Sequence, residues 1–215
     1  MTISNYLLKQ LDKYKAEKLL YEPLVAYFEK NTASRKYAEV CEENKWELFI
    51  DHLTIRTYKI DESAKKYEKL GWKYETTIEY LNEGWWAKVY RHPKYAPMFI
   101  DQTYDNAPSD KQLLKKWVDK FGDRDFHHLA FRIPQGVEIE EAVNLLEKKG
   151  VKFPGKITGQ KGSRLRQIFT QAEVIDSVPF SVIELAQRNK DPKTSQVYEG
   201  FISEQADSLM KDSVL

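Results

Sequence analysis

The sequence predicts an α+β fold: two βαβββ modules forming a curved mixed sheet, or half-barrel, with an N-terminal helical layer. Three observations carry this. Apolar residues recur at helical spacing up to residue 47 and at strand spacing after it. The order of elements that begins at residue 48 returns from residue 125. Three separate stretches of the two copies can be laid over one another, which is the mark of an internal repeat.

In the first 47 residues Leu7, Leu8, Leu11, Tyr14, Leu19, Leu20, Leu24, Val25, Tyr27 and Phe28 form the apolar stripe of a helical layer. Pro23 suggests a restart, and Asn31-Thr32-Ala33-Ser34 a break between helices. Residues 48–57 alternate and are rich in β-branched side chains, as a strand is. A helix is expected over 63–70, closed by Gly71, followed by strands near 73–78, 84–91 and 97–102. A connector over 105–124 carries a helix capped by Ser109. The second copy then reads as a strand over 127–133, a helix over 140–149 ended by Gly150, and strands near 156–158, 164–170 and 180–186. The resulting division is 1–47 helical layer, 48–104 first module, 105–124 connector, 125–188 second module and 189–215 a C-terminal segment near the site. In the repeat alignment Asp51-His52 lies over His127-His128, Lys69-Leu70-Gly71 over Lys148-Lys149-Gly150, and Gln102 over Glu184.

Composition narrows the function classes. With 34 Lys+Arg against 33 Asp+Glu, the net charge of +1 lacks the basic footprint of a nucleic-acid binder. No apolar run reaches the roughly 18 residues of a membrane span, and no secretory signal pattern opens the chain, so a cytoplasmic protein is expected. Cys41 is the single cysteine, which excludes a disulfide framework and a cysteine-based zinc site. Partners are then small molecules, with the chain a monomer or a homodimer.

The chemistry is expected to centre on the histidines, of which there are four: His52, His92, His127 and His128. Two fall at matched places on the first strand of each module, where pairing the modules brings them together in a cavity. Neighbours on a strand face opposite sides, so only one of His127 and His128 looks inward. The repeat alignment selects His128, placing His127 on the outer face; His92, before Pro93, falls in a surface turn. Glu184 is the one carboxylate of the apolar run 180–186, costly to bury unless paired or bound to a metal. A salt bridge to Arg166 or Arg188 is the competing account of it. Two imidazoles and a carboxylate leave open positions on an octahedral metal, the arrangement of non-heme Fe(II) oxygenases. Arg56 and Arg132 follow their histidines by four residues and share their faces; Arg56 could grip the far carboxylate of a short diacid, or equally pair with a buried carboxylate of the protein. Gln102 is a candidate fourth neutral group near the metal.

These motifs resemble the 2-oxoadipate dioxygenase/decarboxylase (hydroxyglutarate synthase) family of the vicinal oxygen chelate superfamily. The matching stretches are Asp51-His52-Leu53-Thr54-Ile55-Arg56-Thr57, His92-Pro93, Phe126-His127-His128-Leu129, Leu165-Arg166-Gln167, Glu184-Leu185-Ala186-Gln187-Arg188, Tyr198-Glu199-Gly200-Phe201 and Ala206-Asp207. The resemblance implies Fe(II) held by His52, His128 and Glu184, with Zn, Ni or Mn as substitutes in a purified sample. It implies Arg56 receiving the distal carboxylate of 2-oxoadipate, and a reaction with O2 that yields a 2-hydroxy acid and CO2. Arg166 and Gln167 match a family motif and line the site in this reading, as does Arg132. Glu204 and Gln205 depart from the family pattern, in which a small hydroxyl residue stands near the substrate. The alternatives on the same fold are a metal-dependent isomerase or lyase of the glyoxalase kind, which a fourth ligand such as Gln102 would favour, and a non-catalytic small-ligand-binding module.

Overall fold

The computed structural model describes residues 3–123 and 125–202. The chain is α+β and divides into two compact units, 51–129 and the remainder, with the boundary passing through the first strand of each module.

The unit 51–129 holds most of the first module. After α1 (Asn5–Leu11), α2 (Lys18–Lys30) and α3 (Thr32–Asn44), which belong to the other unit, strand β1 (Ile50–Arg56) is followed by α4 (Ile60–Glu68), β2 (Lys73–Tyr80), β3 (Trp85–Arg91) and β4 (Met98–Thr103). The order β2-β3-β4-β1 then continues to β5 (Asp125–Arg132). β2–β3 and β3–β4 are antiparallel, while β1 and β4 run parallel with Arg56 opposite Asp101. The parallel pair is the product of a βα crossover, which antiparallel hairpins alone cannot give. Every residue of β1 is buried, so the strand is covered on both faces. Ser109 does not cap the connector helix: it opens a 3-10 turn over Ser109–Lys111, and α5 begins later, at Leu113–Phe121.

The other unit contains α1 (Asn5–Leu11), α2 (Lys18–Lys30), α3 (Thr32–Asn44), α6 (Ile139–Lys148), β6 (Leu165–Phe169), β7 (Glu173–Ile175) and β8 (Val178–Arg188). Pro23 does not restart the helix but sits inside α2, one turn from its start, costing the bond to the carbonyl of solvent-exposed Leu19. Asn31 serves both ends of the expected break, closing α2 and capping α3 through its Oδ1, which accepts from Ser34 N at 2.7 Å. The helical layer packs through Phe28 and Tyr37 on Phe131, with ring centroids 6.0 and 4.9 Å apart. It is tied to β8 by Asn31 Nδ2 donating to Ser181 Oγ at 2.8 Å and by the Tyr27 hydroxyl on the Val182 carbonyl. β8 pairs antiparallel with β6 and with β7, and follows the C-terminal end of β5 through Ile133 N–H on the Ala186 carbonyl. The expected strand at 156–158 is reduced to a single bridge, Thr158 to Gln167. β7 was hidden in the sequence because its turn, Asp176-Ser177, takes positive φ at two non-glycine residues (49° and 63°).

Among the described residues, no helix is long and apolar enough to cross a membrane. Cys41 is buried, and burial pushes its thiol up to about 12, which keeps it protonated.

Candidate metal centre

β1 presents His52, Thr54 and Arg56 on one face, because side chains two apart on a strand point the same way. All three are buried. The His52 ring lies 5.6 Å from that of His128 on β5, edge to face, and 5.1 Å from Phe99 on β4. His52 Nδ1 is 3.0 Å from the Asp51 carboxylate, so the proton belongs on Nδ1 and the ring lone pair on Nε2. His128 Nε2 meets the Thr54 hydroxyl at 2.9 Å. Burial, followed by His52 and Arg56, holds His128 well below the ordinary imidazole value. It is therefore neutral, the form that binds metal.

On β8, Glu184 is 2% exposed. Gln167 of β6, two positions from the residue paired with it, donates from Nε2 to Glu184 Oε1. That bond fixes the carboxylate plane. The arginines of the competing account are engaged elsewhere: Arg166 forks onto Glu140 at 2.6 and 2.9 Å, and Arg188 donates to the carbonyls of Tyr198 and Gly200 at 3.0 and 2.7 Å. Arg166, expected to line the site, thereby serves the first turn of α6, which Glu140 occupies.

The ligand atoms of His52, His128 and Glu184 all lie within 4.8 Å of one another. Three atoms at that limit share a centre about 2.8 Å from each, against the 2.0–2.2 Å of nitrogen and carboxylate bonds to zinc. Two imidazoles and a carboxylate are the donor types that divalent transition metals take, so the residues fit such a metal by their chemistry. They form the one such group found among the described residues.

Arg56 is 3% exposed, and its Nε is buried without a hydrogen-bond partner. Its guanidinium stacks over Trp117 of α5 at 5.3 Å. Asp101, its register partner on β4, is pushed up to about 7 by burial, with Arg56 and His52 opposing. Neither the register neighbour Asp101 nor Trp117 was legible in the sequence as a companion of Arg56. Thr54 could have been found there, since it stands between His52 and Arg56 on the same face.

Other expected positions fall elsewhere. Gln102 Oε1 accepts from Ile60 N at 2.9 Å, holding the start of α4. Gln187 does the same for Ile139 and α6 at 3.2 Å. The backbone agrees: Thr57 N–H reaches the Asp101 carbonyl as Ile133 N–H reaches that of Ala186. The repeat register thus sets Gln102 against Gln187 and Phe99 against Glu184, correcting the alignment by three residues. Arg132 is taken by a two-bond pair with Glu199 (2.8 and 2.6 Å) and by the face of Phe49. His127 is not on an outer surface: it is 5% exposed, edge-on to Trp117 at 5.7 Å, with its Nδ1 3.0 Å from that of His128. Alternation fixes Cα–Cβ directions, but side-chain torsions let neighbouring rings meet. His92 is half-buried between Trp72 and Tyr95, its Nε2 3.1 Å from the Leu70 carbonyl. Glu204 and Gln205 lie outside the described residues.

The profile of the Glyoxalase/Bleomycin resistance protein/Dioxygenase superfamily matches residues 49–173, more than half of the chain, and the chain belongs to that superfamily. Members bind divalent metals, and the three-residue set here is a candidate of that kind. Among solved structures, the hydroxyglutarate synthase of Oryza sativa, in complex with 2-oxoadipate, gives a TM-score of 0.75 at 14% identity, covering 94% of this chain and 93% of its own. A variant of 4-hydroxymandelate synthase from Streptomyces coelicolor gives 0.61 at 17% identity, covering 78% of this chain and 53% of its own. At such identities the likeness is one of fold. No curated protein matches the sequence.

Proposed function

We propose that this chain is an Fe(II)-dependent dioxygenase/decarboxylase that converts a 2-oxo dicarboxylic acid, such as 2-oxoadipate, and O2 to a 2-hydroxy acid one carbon shorter and CO2. One observation carries the reading. A buried guanidinium with an unpartnered Nε stands on the same strand face as His52, four residues along β1. Four residues of strand span about 13 Å, the scale of a short diacid plus an arginine side chain.

His52, His128 and Glu184 would hold the metal, which when bound supplies activation of O2 and polarisation of the 2-oxo group. The protein's own part is positional. Arg56 binds the distal carboxylate through charge-assisted hydrogen bonds in a dry environment, fixing the diacid's length and direction. Trp117 and Phe99 exclude water from the faces of Arg56 and His52. Thr54 offers a hydroxyl between the two. Gln167 keeps Glu184 oriented when the carboxylate gives up its other oxygen. The engagement of Gln102 at the start of α4 supports this reading over an isomerase of the glyoxalase kind, which a fourth ligand would favour.

The test is oxygen uptake and CO2 release by Fe(II)-loaded protein offered a panel of 2-oxo acids. Uptake matching CO2 release for a dicarboxylic member is the expected result. No uptake with any acid, in protein shown to hold iron, would overturn the oxygenase reading in favour of isomerase or lyase chemistry.

A further inference from the structure

Each of the two histidines is preceded in the chain by a residue that touches its ring. Asp51 Oδ1 lies 3.0 Å from His52 Nδ1, and His127 Nδ1 lies 3.0 Å from His128 Nδ1. Asp51 and His127 occupy the same position of the repeat, so one device is used twice with different chemistry. We propose that His127 is the positioning residue of the metal ligand His128, holding its Nδ1–H as Asp51 holds that of His52. The inference rests on the metal reading of His52, His128 and Glu184.

The hydrogen-bond geometry assigns the protons. Two facing Nδ1 atoms of neutral imidazoles can share only one hydrogen. Were it on His127, His128 would carry its proton on Nε2, and no lone pair would point to a metal from that side. With the proton on His128 Nδ1, Nε2 keeps its lone pair, and the Thr54 hydroxyl at 2.9 Å donates to it in the absence of metal. His127 then accepts through Nδ1 and carries its own proton on Nε2. The acceptor is held in place: His127 is buried, and its ring stands at 88° to that of Trp117. Orienting groups of this kind fix the ligand's tautomer and typically alter metal affinity 10- to 100-fold. A neutral acceptor also differs from Asp51 in adding no further carboxylate to the site.

Two substitutions separate orientation from packing. His127→Phe keeps a ring against Trp117 and deletes the nitrogen; His127→Asn replaces Nδ1 with a neutral acceptor at the same distance from the backbone. Co(II) titration, followed by visible absorption, gives the affinity, and melting of the metal-free protein reports the fold. His127→Phe is expected to weaken Co(II) binding by about 10- to 100-fold and to change its spectrum, with His127→Asn within a few-fold of the parent. His127→Leu reads the same as the Phe variant should the latter fail to fold. Parent-like binding by His127→Phe would overturn the proposal, as would equal weakening in the Asn and Phe variants. Failure of the parent itself to bind Co(II) more tightly than Glu184→Ala would instead overturn the metal reading, and this inference with it.

Discussion

At the scale of single residues, the site is an exercise in burying polar groups with a purpose. Arg56 is the clearest instance, since leaving a donor unpaired inside a protein costs roughly 1–3 kcal/mol. A carboxylate arriving from solution would satisfy it. Arg56→Leu should therefore lower kcat/KM for a 2-oxo dicarboxylate by about 10- to 100-fold while changing a monocarboxylate of equal length only a few-fold. Steady-state kinetics on the two acids decide it, and equal losses would remove Arg56 as the anchor. The histidines needed less from tertiary context: their matched repeat positions marked His52 and His128, whereas the contact of His127 with His128 depends on torsions that no pattern encodes.

At the scale of elements, the two βα units are locked by the same side chain in the same place. Gln102 on β4 caps the start of α4, and Gln187 on β8 caps that of α6. Neither helix has a side-chain cap of its own. Gln102→Leu should thus cost about 1 kcal/mol in urea unfolding and leave metal affinity unchanged; a fall in affinity would return Gln102 to the metal. Arg166 adds a second device at α6. Its guanidinium holds Glu140 down at about 2, below the ordinary 4.5. A depressed acid stabilises the fold above its unfolded value, and that contribution disappears as pH falls from about 4.5 through 2. Glu140 is half exposed, so solvent limits the effect to about 1 kcal/mol or less. Glu140→Gln should melt earlier than the parent at neutral pH, and the two melting curves should converge near pH 2.

For the whole molecule, the prediction concerns metal linkage. A ligand that binds only the folded chain stabilises it by about 2.7 kcal/mol at a hundred times its Kd, or about 5–10 °C in Tm for a chain of this size. Co(II) should raise the parent's Tm by that amount, a chelator should reverse it, and Glu184→Ala should not respond. A similar rise in the variant would place the bound metal elsewhere.

Much of this was written in the sequence. The change of period from helix to strand, the returning order of elements and the paired histidines are local or periodic features, and hydrophobic patterning determines them residue by residue. The register of the last strand was not: Gln102 lies over Glu184 in a gapless comparison, and only the backbone bonds of Thr57 and Ile133 show that Phe99 takes that place. The β7 hairpin, the Arg56–Asp101–Trp117 cluster and the inward turn of His127 belong to the same class. Each depends on which strands and helices meet, and sequence spacing carries no information on neighbours drawn from distant parts of the chain.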